Sequence, residues 1–236
     1  MEHTVHAFDA ELRDLSLKIA EMGSFAEQRV ADAIDAVVKR DAALAKRIMA
    51  ADHQIDALQR AIEEKAVVAM ARRQPVGPDL REIVGSLRIS NDLAHIGNLA
   101  QSNARRVLTL ADGLPSNEPI LQIERIAKLV LKQLRDVFHS YVHRDIAQAL
   151  EVWRNDQEID ALHSSLFREL LTYMMEDTRT ITICTQLLFC AKNIERIGDH
   201  VTNIAETIYY IVEGRPLLQD RPKADTSSTQ GPLELA

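Results

Sequence analysis

Four acidic residues in the second half of the chain have the spacing of a metal site built between helices. Asp156 precedes Asp160 by four positions, and Glu195 precedes Asp199 by four. Residues four apart share one face of a helix. Carboxylates crowded on facing helices repel one another unless they are protonated, solvated or bridged by a cation. The pattern therefore predicts an oxygen-rich site suited to Mg, Mn, Ca or iron, with Zn less natural because the set of ligands contains no cysteine.

The two pairs are predicted to lie level with each other on antiparallel helices. A turn is expected near Thr178, and the two pairs lie at almost equal distances along the chain on either side of it. Counting from this turn places Glu195 opposite Asp160 and Asp199 opposite Asp156. The competing interpretation is a solvated acidic helix face, because acidic pairs with this spacing are common on exposed helices.

The chain contains a second, altered copy of this unit. Residues 38–58 match residues 142–162, so that Asp52 and Asp56 correspond to Asp156 and Asp160. In the first copy, Ala94 stands where Glu195 stands, and Asn98 stands where Asp199 stands. Asp52 and Asp56 are therefore candidate ligands whose partners have lost their charge, and weak metal binding or none is expected there.

Three other polar residues near these motifs are not expected to be ligands. His163 lies one turn beyond Asp160 and His200 follows Asp199, and for each the surface interpretation is favoured over a metal ligand. Asp92 is close to Ala94 in sequence. Two positions along a helix correspond to a different face, so Asp92 is not expected to replace the missing acid.

Apolar periodicity predicts an all-α protein of six long antiparallel helices in two related three-helix bundles. Proline and glycine at 75–78 and a polar, glycine- and proline-containing stretch at 112–117 break the pattern. The predicted domains are residues 1–112 and 116–213, followed by a disordered tail at 214–236. The six predicted helices cover residues 8–39, 41–73, 78–110, 120–142, 145–175 and 181–212.

The sixth helix has the clearest internal pattern. Two rows repeat every seven residues, and the small members of the second row are expected to let another helix approach closely. The apolar row is Leu187, Ile194, Val201 and Ile208, and the second row is Ala191, Gly198, Ala205 and Val212.

Composition restricts the partners. The net charge of −7 provides no long-range attraction for phosphate backbones, so nucleic acid is not an expected partner. No secretory signal and no apolar run long enough to span a membrane are seen. Cys184 and Cys190 are about 9 Å apart along one helix, too far for a disulfide, and are expected to be reduced core residues of a cytosolic protein.

The residues already described resemble those of the PhoU family. Residues 8–15, followed by Met22 and Gly23, resemble the opening helix of the family, and residues 195–206 resemble its acidic signature helix; the similarity covers about residues 5–213. The resemblance implies two tandem three-helix bundles, often dimeric, with metal ions on the acidic motifs. Ala94 and Asn98 depart from the motif.

The resemblance also implies a function. Members of the family are cytoplasmic, peripheral to the membrane and not enzymes. They act as negative regulators that link the ATPase subunit of a phosphate ABC transporter to a phosphate-sensing histidine kinase. For this chain the resemblance implies a homodimer that binds Mg, Mn, Fe or Zn ions through Asp156, Asp160, Glu195 and Asp199.

Two alternatives are open from the sequence. A carboxylate-bridged dimetal enzyme would require Glu-x-x-His motifs on two helices, and the chain contains none. A helical scaffold without metal is the other. Phosphate-cradling glycine loops and Gly-x-Ser-x-Gly elbows are likewise absent from the sequence, in agreement with a regulator rather than an enzyme.

Overall fold

The structure, a computed structural model, describes residues 2–50, 53–110 and 117–218. In this part of the chain all regular structure is helical, which confirms the all-α prediction. The helices are α1 (Glu2–Lys39), α2 (Ala42–Ala50), α3 (His53–Arg73), α4 (Gly77–Val107), α5 (Glu118–His143), α6 (Ile146–Arg154), α7 (Asp156–Glu176), a 3₁₀ turn (Thr178–Thr180) and α8 (Ile181–Glu213).

The fifth predicted helix is interrupted in the structure. The fifth is divided into α6 and α7 at Asn155, whose backbone (φ −77°, ψ −1°) departs from the α-helical value. Asparagine competes for backbone hydrogen bonds inside a helix, which favours a break there. Residues 51–52, between α2 and α3, lie outside the described part of the chain, so the continuity of the second predicted helix stays a prediction. The prediction of one continuous helix was therefore wrong for the fifth helix.

Local geometry also repeats between the halves. Arg40 and Arg144 both adopt left-handed backbone conformations, with φ of 52° and 55°, where α1 and α5 end. Asp41 and Asp145 then cap the next helix, each accepting backbone N–H bonds through its side chain. The predicted cap at Asp41 is confirmed, and the sequence repeat is also a structural repeat.

The core consists of aliphatic side chains between the helices. The predicted apolar row of α8 is fully buried at all four positions. In the first half α1 and α4 each contact the other three helices, and in the second half all four helices contact one another. The two halves meet through α4 against α8 and α1 against α5. The exact limits 1–112 and 116–213 stay predictions, because residues 111–116 lie outside the described part of the chain.

The contact between α4 and α8 is antiparallel and partly polar. Near the start of α4, the Arg81 Nε donates to the carbonyl of Ile211 at 3.3 Å. Near its end, the Asn193 amide of α8 donates to the Asn103 Oδ1 at 2.8 Å. Hydrogen bonds along the whole length of the pair thus join the two halves.

The two cysteines of α8 are buried and unbridged, as predicted. Burial raises the pKa of the Cys190 thiol to about 12.

The chain beyond α8 begins with a glycine. Gly214 ends α8 with φ of 76°, and Leu217 packs against the core. The remainder of the predicted tail lies outside the described residues. Among the described helices, none is both long and apolar enough to cross a bilayer.

Candidate functional site

The four predicted acids of the second half lie on α7 and α8, which pack against each other. Asp156 and Asp160 are each 2% exposed and Glu195 is 5% exposed, while Asp199 is half-buried. Burying a carboxylate is costly unless a partner or a proton compensates it. The interpretation as a solvated acidic face is therefore wrong for three of the four residues.

Gly198 allows α7 to approach α8 closely at this site. A Cβ atom added there would lie 3.3 Å from Asp156 Oδ1 and 3.5 Å from Ile159 Cδ1. Because Gly198 precedes Asp199, this contact places Asp156 next to the Asp199 turn of α8. The predicted register between the two helices has the same arrangement, with Asp160 one turn further on toward Glu195.

The carboxylate of Glu195 is only partly compensated by hydrogen bonds. Its Oε1 accepts a hydrogen bond from Lys192 Nζ at 2.9 Å, whereas its buried Oε2 has no hydrogen-bond partner. Burial raises the pKa of Glu195, and the charges of Asp199 and Asp160 raise it further, while Lys192 opposes the shift. The site therefore favours a proton or another cation beside this residue.

The donor set fits a hard metal ion in chemical type but does not form a closed cage. All four side chains supply carboxylate oxygens, and Glu195 Oε2 is an unused acceptor. Across the described ranges, no three His, Cys, Asp or Glu side chains are gathered closely enough to hold a metal ion. Binding would therefore require the carboxylates to turn toward a common point.

In the first half, three of the four equivalent positions lie in the described part of the chain. Asp52 lies outside the described residues, and Asp56 on α3 is half-buried. Gly97 of α4 packs against Ile55, as Gly198 packs against Ile159, which supports the alignment that equates Ala94 with Glu195. Ala94 is buried and Asn98 is exposed. The α4 side of the first-half site thus offers no carboxylate at either equivalent position.

Sequence reasoning missed a polar cluster that joins the two halves beside the site. His200 Nδ1 of α8 lies 2.9 Å from Asp92 Oδ1 of α4, and Asn203 donates to the same oxygen at 3.5 Å. His95 stacks on His200 with ring centroids 5.1 Å apart. Asp92 thus faces α8, a contact between halves that periodicity within one helix does not reveal.

The surface interpretation was wrong for both histidines. His163 is 3% exposed on α7, and the His200 side chain is 17% exposed. His163 lies one turn from Asp160 on the helix face that packs into the second half. A signal for this burial was present in the sequence, because Ile159 and Leu166 lie one turn before and one turn after His163 on the same face, and both are buried.

Fold and site together define a class: duplicated all-α bundle proteins with buried carboxylates on two facing helices. Comparison with known families then assigns the chain. The PhoU domain model matches residues 19–107 and 123–208, one match in each half. The chain belongs to the PhoU family.

Similarity to individual family members extends over almost the whole chain. A protein of Rhizobium meliloti (strain 1021), named phosphate-specific transport system accessory protein PhoU homolog, is 51% identical over 97% of both chains. A protein of the same name from Caulobacter vibrioides is 46% identical over 96% of this chain and 99% of its own. The crystal structure of PhoU from Pseudomonas aeruginosa superposes with a TM-score of 0.85 at 35% identity, covering 88% of this chain and 100% of that one.

Proposed function

We propose that this chain is an accessory protein of a phosphate-specific transport system and a negative regulator of phosphate uptake and phosphate-starvation signalling. The observation that carries the proposal is the similarity to accessory proteins of that name over nearly the full length of both chains. An adaptor of this kind acts by binding its partner proteins. It needs a surface of the right shape and no catalytic turnover, and a helical bundle can provide such a surface.

The proposed partners are the ATPase subunit of a phosphate ABC transporter and a phosphate-sensing histidine kinase. The protein acts in the cytoplasm at the membrane surface, as a homodimer, and is not an enzyme. The absence of Glu-x-x-His motifs from the sequence supports regulation over dimetal catalysis. The burial of three of the four acids supports a site with a role of its own over a metal-free scaffold.

The metal-binding part of the proposal concerns the second half. Asp156 and Asp160 of α7, with Glu195 and Asp199 of α8, would hold a divalent or iron-type ion. A bound ion supplies positive charge that offsets the mutual repulsion of these carboxylates. Glu195 Oε2 contributes the unused acceptor, and Lys192 supplies part of the compensation when no ion is present. Binding at this site would therefore stiffen the contact between α7 and α8.

A deletion strain tests the regulatory role. In phosphate-rich medium, loss of the gene is expected to derepress phosphate-starvation promoters, because a negative regulator is needed to hold the kinase inactive. A transcriptional reporter measures the effect, and a plasmid copy of the wild-type gene is expected to restore repression.

The control is the same strain complemented with the exposed-residue variant His53→Ala, which is expected to repress like the wild type. Repression that stays normal in the deletion strain would show that the chain does not regulate this response.

A further inference from the structure

A pair of histidines on α5 has the spacing of a chelating site and belongs to a different helix from the carboxylates of α7 and α8. His139 and His143 lie one helical turn apart, and both are exposed. Their ring centroids are 4.3 Å apart, with the ring planes tilted by 43°. Two histidines spaced by four residues on one helix face can bind a single metal ion, as they do in His-Glu-x-x-His sites.

A hydrogen bond prepares one of the two rings for a metal. His139 Nδ1 lies 2.6 Å from Gln148 Oε1, at the start of the neighbouring helix α6. An amide oxygen only accepts hydrogen bonds, so Nδ1 of the neutral ring carries the proton and Nε2 keeps its lone pair. Metal-bound histidines typically have this type of outer partner, which fixes the tautomer and the ring orientation.

At the corresponding positions of α1, the first half has an ion pair instead of two histidines. Asp35 and Lys39, which correspond to His139 and His143 in the repeat, form an ion pair of 2.6 Å. Two adjacent imidazoles have no such attraction, and protonating both would place like charges side by side. A shared metal ion would supply the attraction that the ion pair supplies in the first half.

The neighbouring charged groups are engaged elsewhere. Asp136, one turn before His139, receives the Lys132 ammonium at 2.7 Å, and the Arg144 guanidinium contacts Glu82 at 2.7 Å. Within the described part of the chain no third His, Cys, Asp or Glu joins the pair, so water must complete the coordination sphere.

We propose that His139 and His143 form an imidazole site for a late first-row divalent ion, with Cu²⁺ bound most tightly and Ni²⁺ and Zn²⁺ less so. This order follows the general affinity series for nitrogen ligands, and imidazole suits these ions better than it suits Mg²⁺. The proposal is independent of the regulatory role. It also predicts weaker binding of Mg²⁺ and Mn²⁺ than at the carboxylate site, because imidazole suits these ions less well than carboxylate does.

The test is a Cu²⁺ titration of the tag-free, full-length protein after chelator treatment, followed by electron paramagnetic resonance and calorimetry. The wild type is expected to bind Cu²⁺ with nitrogen hyperfine splitting. His139→Ala and His143→Ala are each expected to weaken binding at least about tenfold, because a chelate becomes a single ligand. Gln148→Ala is expected to weaken it by about tenfold through loss of the outer hydrogen bond.

Two control variants locate the site. His53→Ala removes an exposed histidine that has no histidine four residues away, and it is expected to bind Cu²⁺ like the wild type. His95→Ala removes the ring stacked on His200 and is also expected to leave the nitrogen-coordinated Cu²⁺ unchanged. Wild-type protein without nitrogen-coordinated Cu²⁺, binding that survives both α5 substitutions, or binding that depends on His95 would overturn the proposal.

Discussion

At the scale of single residues, Glu195 has the most distinctive environment of the site. Its carboxylate is almost fully buried, one of its oxygens lacks a hydrogen-bond partner, and two further acids contribute negative charge around it. A lysine three residues before it compensates only part of this charge. Ionisation of Glu195 therefore destabilises the folded, metal-free protein.

This environment predicts a pH dependence of stability. The raised pKa means that the folded, metal-free protein holds the Glu195 proton more tightly than the unfolded chain does. The contribution of Glu195 to stability is therefore fully present below the ordinary glutamate pKa and is lost as the pH rises through the raised value. Glu195→Gln is expected to flatten this slope and to stabilise the metal-free protein at pH 7 by about 1 kcal/mol.

Urea unfolding between pH 5 and pH 8 in the presence of a chelator measures the effect. Glu158→Gln, which changes an exposed acid of α7, serves as the matched control and is expected to keep the wild-type slope. A Glu195→Gln protein with the same pH slope as the wild type would show that Glu195 does not carry the penalty.

At the scale of helices, small residues decide which helices approach closely. Gly198 admits Asp156 and Ile159 of α7, and Gly97 admits Ile55 in the first half. Gly23 on α1 packs under the Phe138 ring of α5, where the two halves meet. Each contact would be crowded by a single added methyl group.

The contact between α1 and α5 gives a prediction that is independent of metal. In Gly23→Ala the new Cβ would overlap the Phe138 ring, and an aromatic ring in a packed interface cannot move aside as the end of an aliphatic chain can. Overpacking is expected to outweigh the gain in helix propensity and to destabilise the protein by about 2 kcal/mol.

Chemical denaturation of Gly23→Ala against Ser24→Ala provides the measurement. Ser24 is the next residue on α1 and is exposed, so its replacement is expected to change stability by less than about 0.5 kcal/mol. If Gly23→Ala were as stable as Ser24→Ala, the close packing of the two halves at this point would be wrong.

The sequence predicts where single helices lie. It predicts less well where a helix is interrupted and which residues of the two halves contact each other. Leu187, Ile194, Val201 and Ile208 repeat every seven residues, and burial of one stripe is the property that such a period encodes. The break at Asn155 was missed because a short interruption leaves the apolar period of the flanking helices almost unchanged.

The sequence likewise predicted only those parts of the candidate site that depend on one helix or on the turn between two neighbouring helices. Counting from the turn before α8 was sufficient to place Asp156 beside the Asp199 turn, because antiparallel neighbours share a fixed register. The Asp92–His200 contact depends on how α4 meets α8 across the two halves. Residues distant in sequence leave no periodic signal of that contact.

At the scale of the whole molecule, two similar halves differ in the chemistry they present. The second half has buried acids on both facing helices, whereas α4 of the first half has Ala94 and Asn98 in the corresponding places. The α5 surface of the second half also has two histidines where the first half has the Asp35–Lys39 ion pair. Duplication thus preserved the fold while the two copies of the site diverged.

Metal content of the purified protein tests this account most directly, through elemental analysis and thermal melting with added Mn²⁺ or Mg²⁺. We expect wild-type protein and Asp56→Ala to retain a divalent ion and to melt at a higher temperature when either metal is added, because an ion that binds only the folded state stabilises it. Glu195→Ala combined with Asp199→Ala is expected to lose both properties while keeping its helical circular dichroism. Wild-type protein that retains no ion and melts at the same temperature with and without metal would contradict the account.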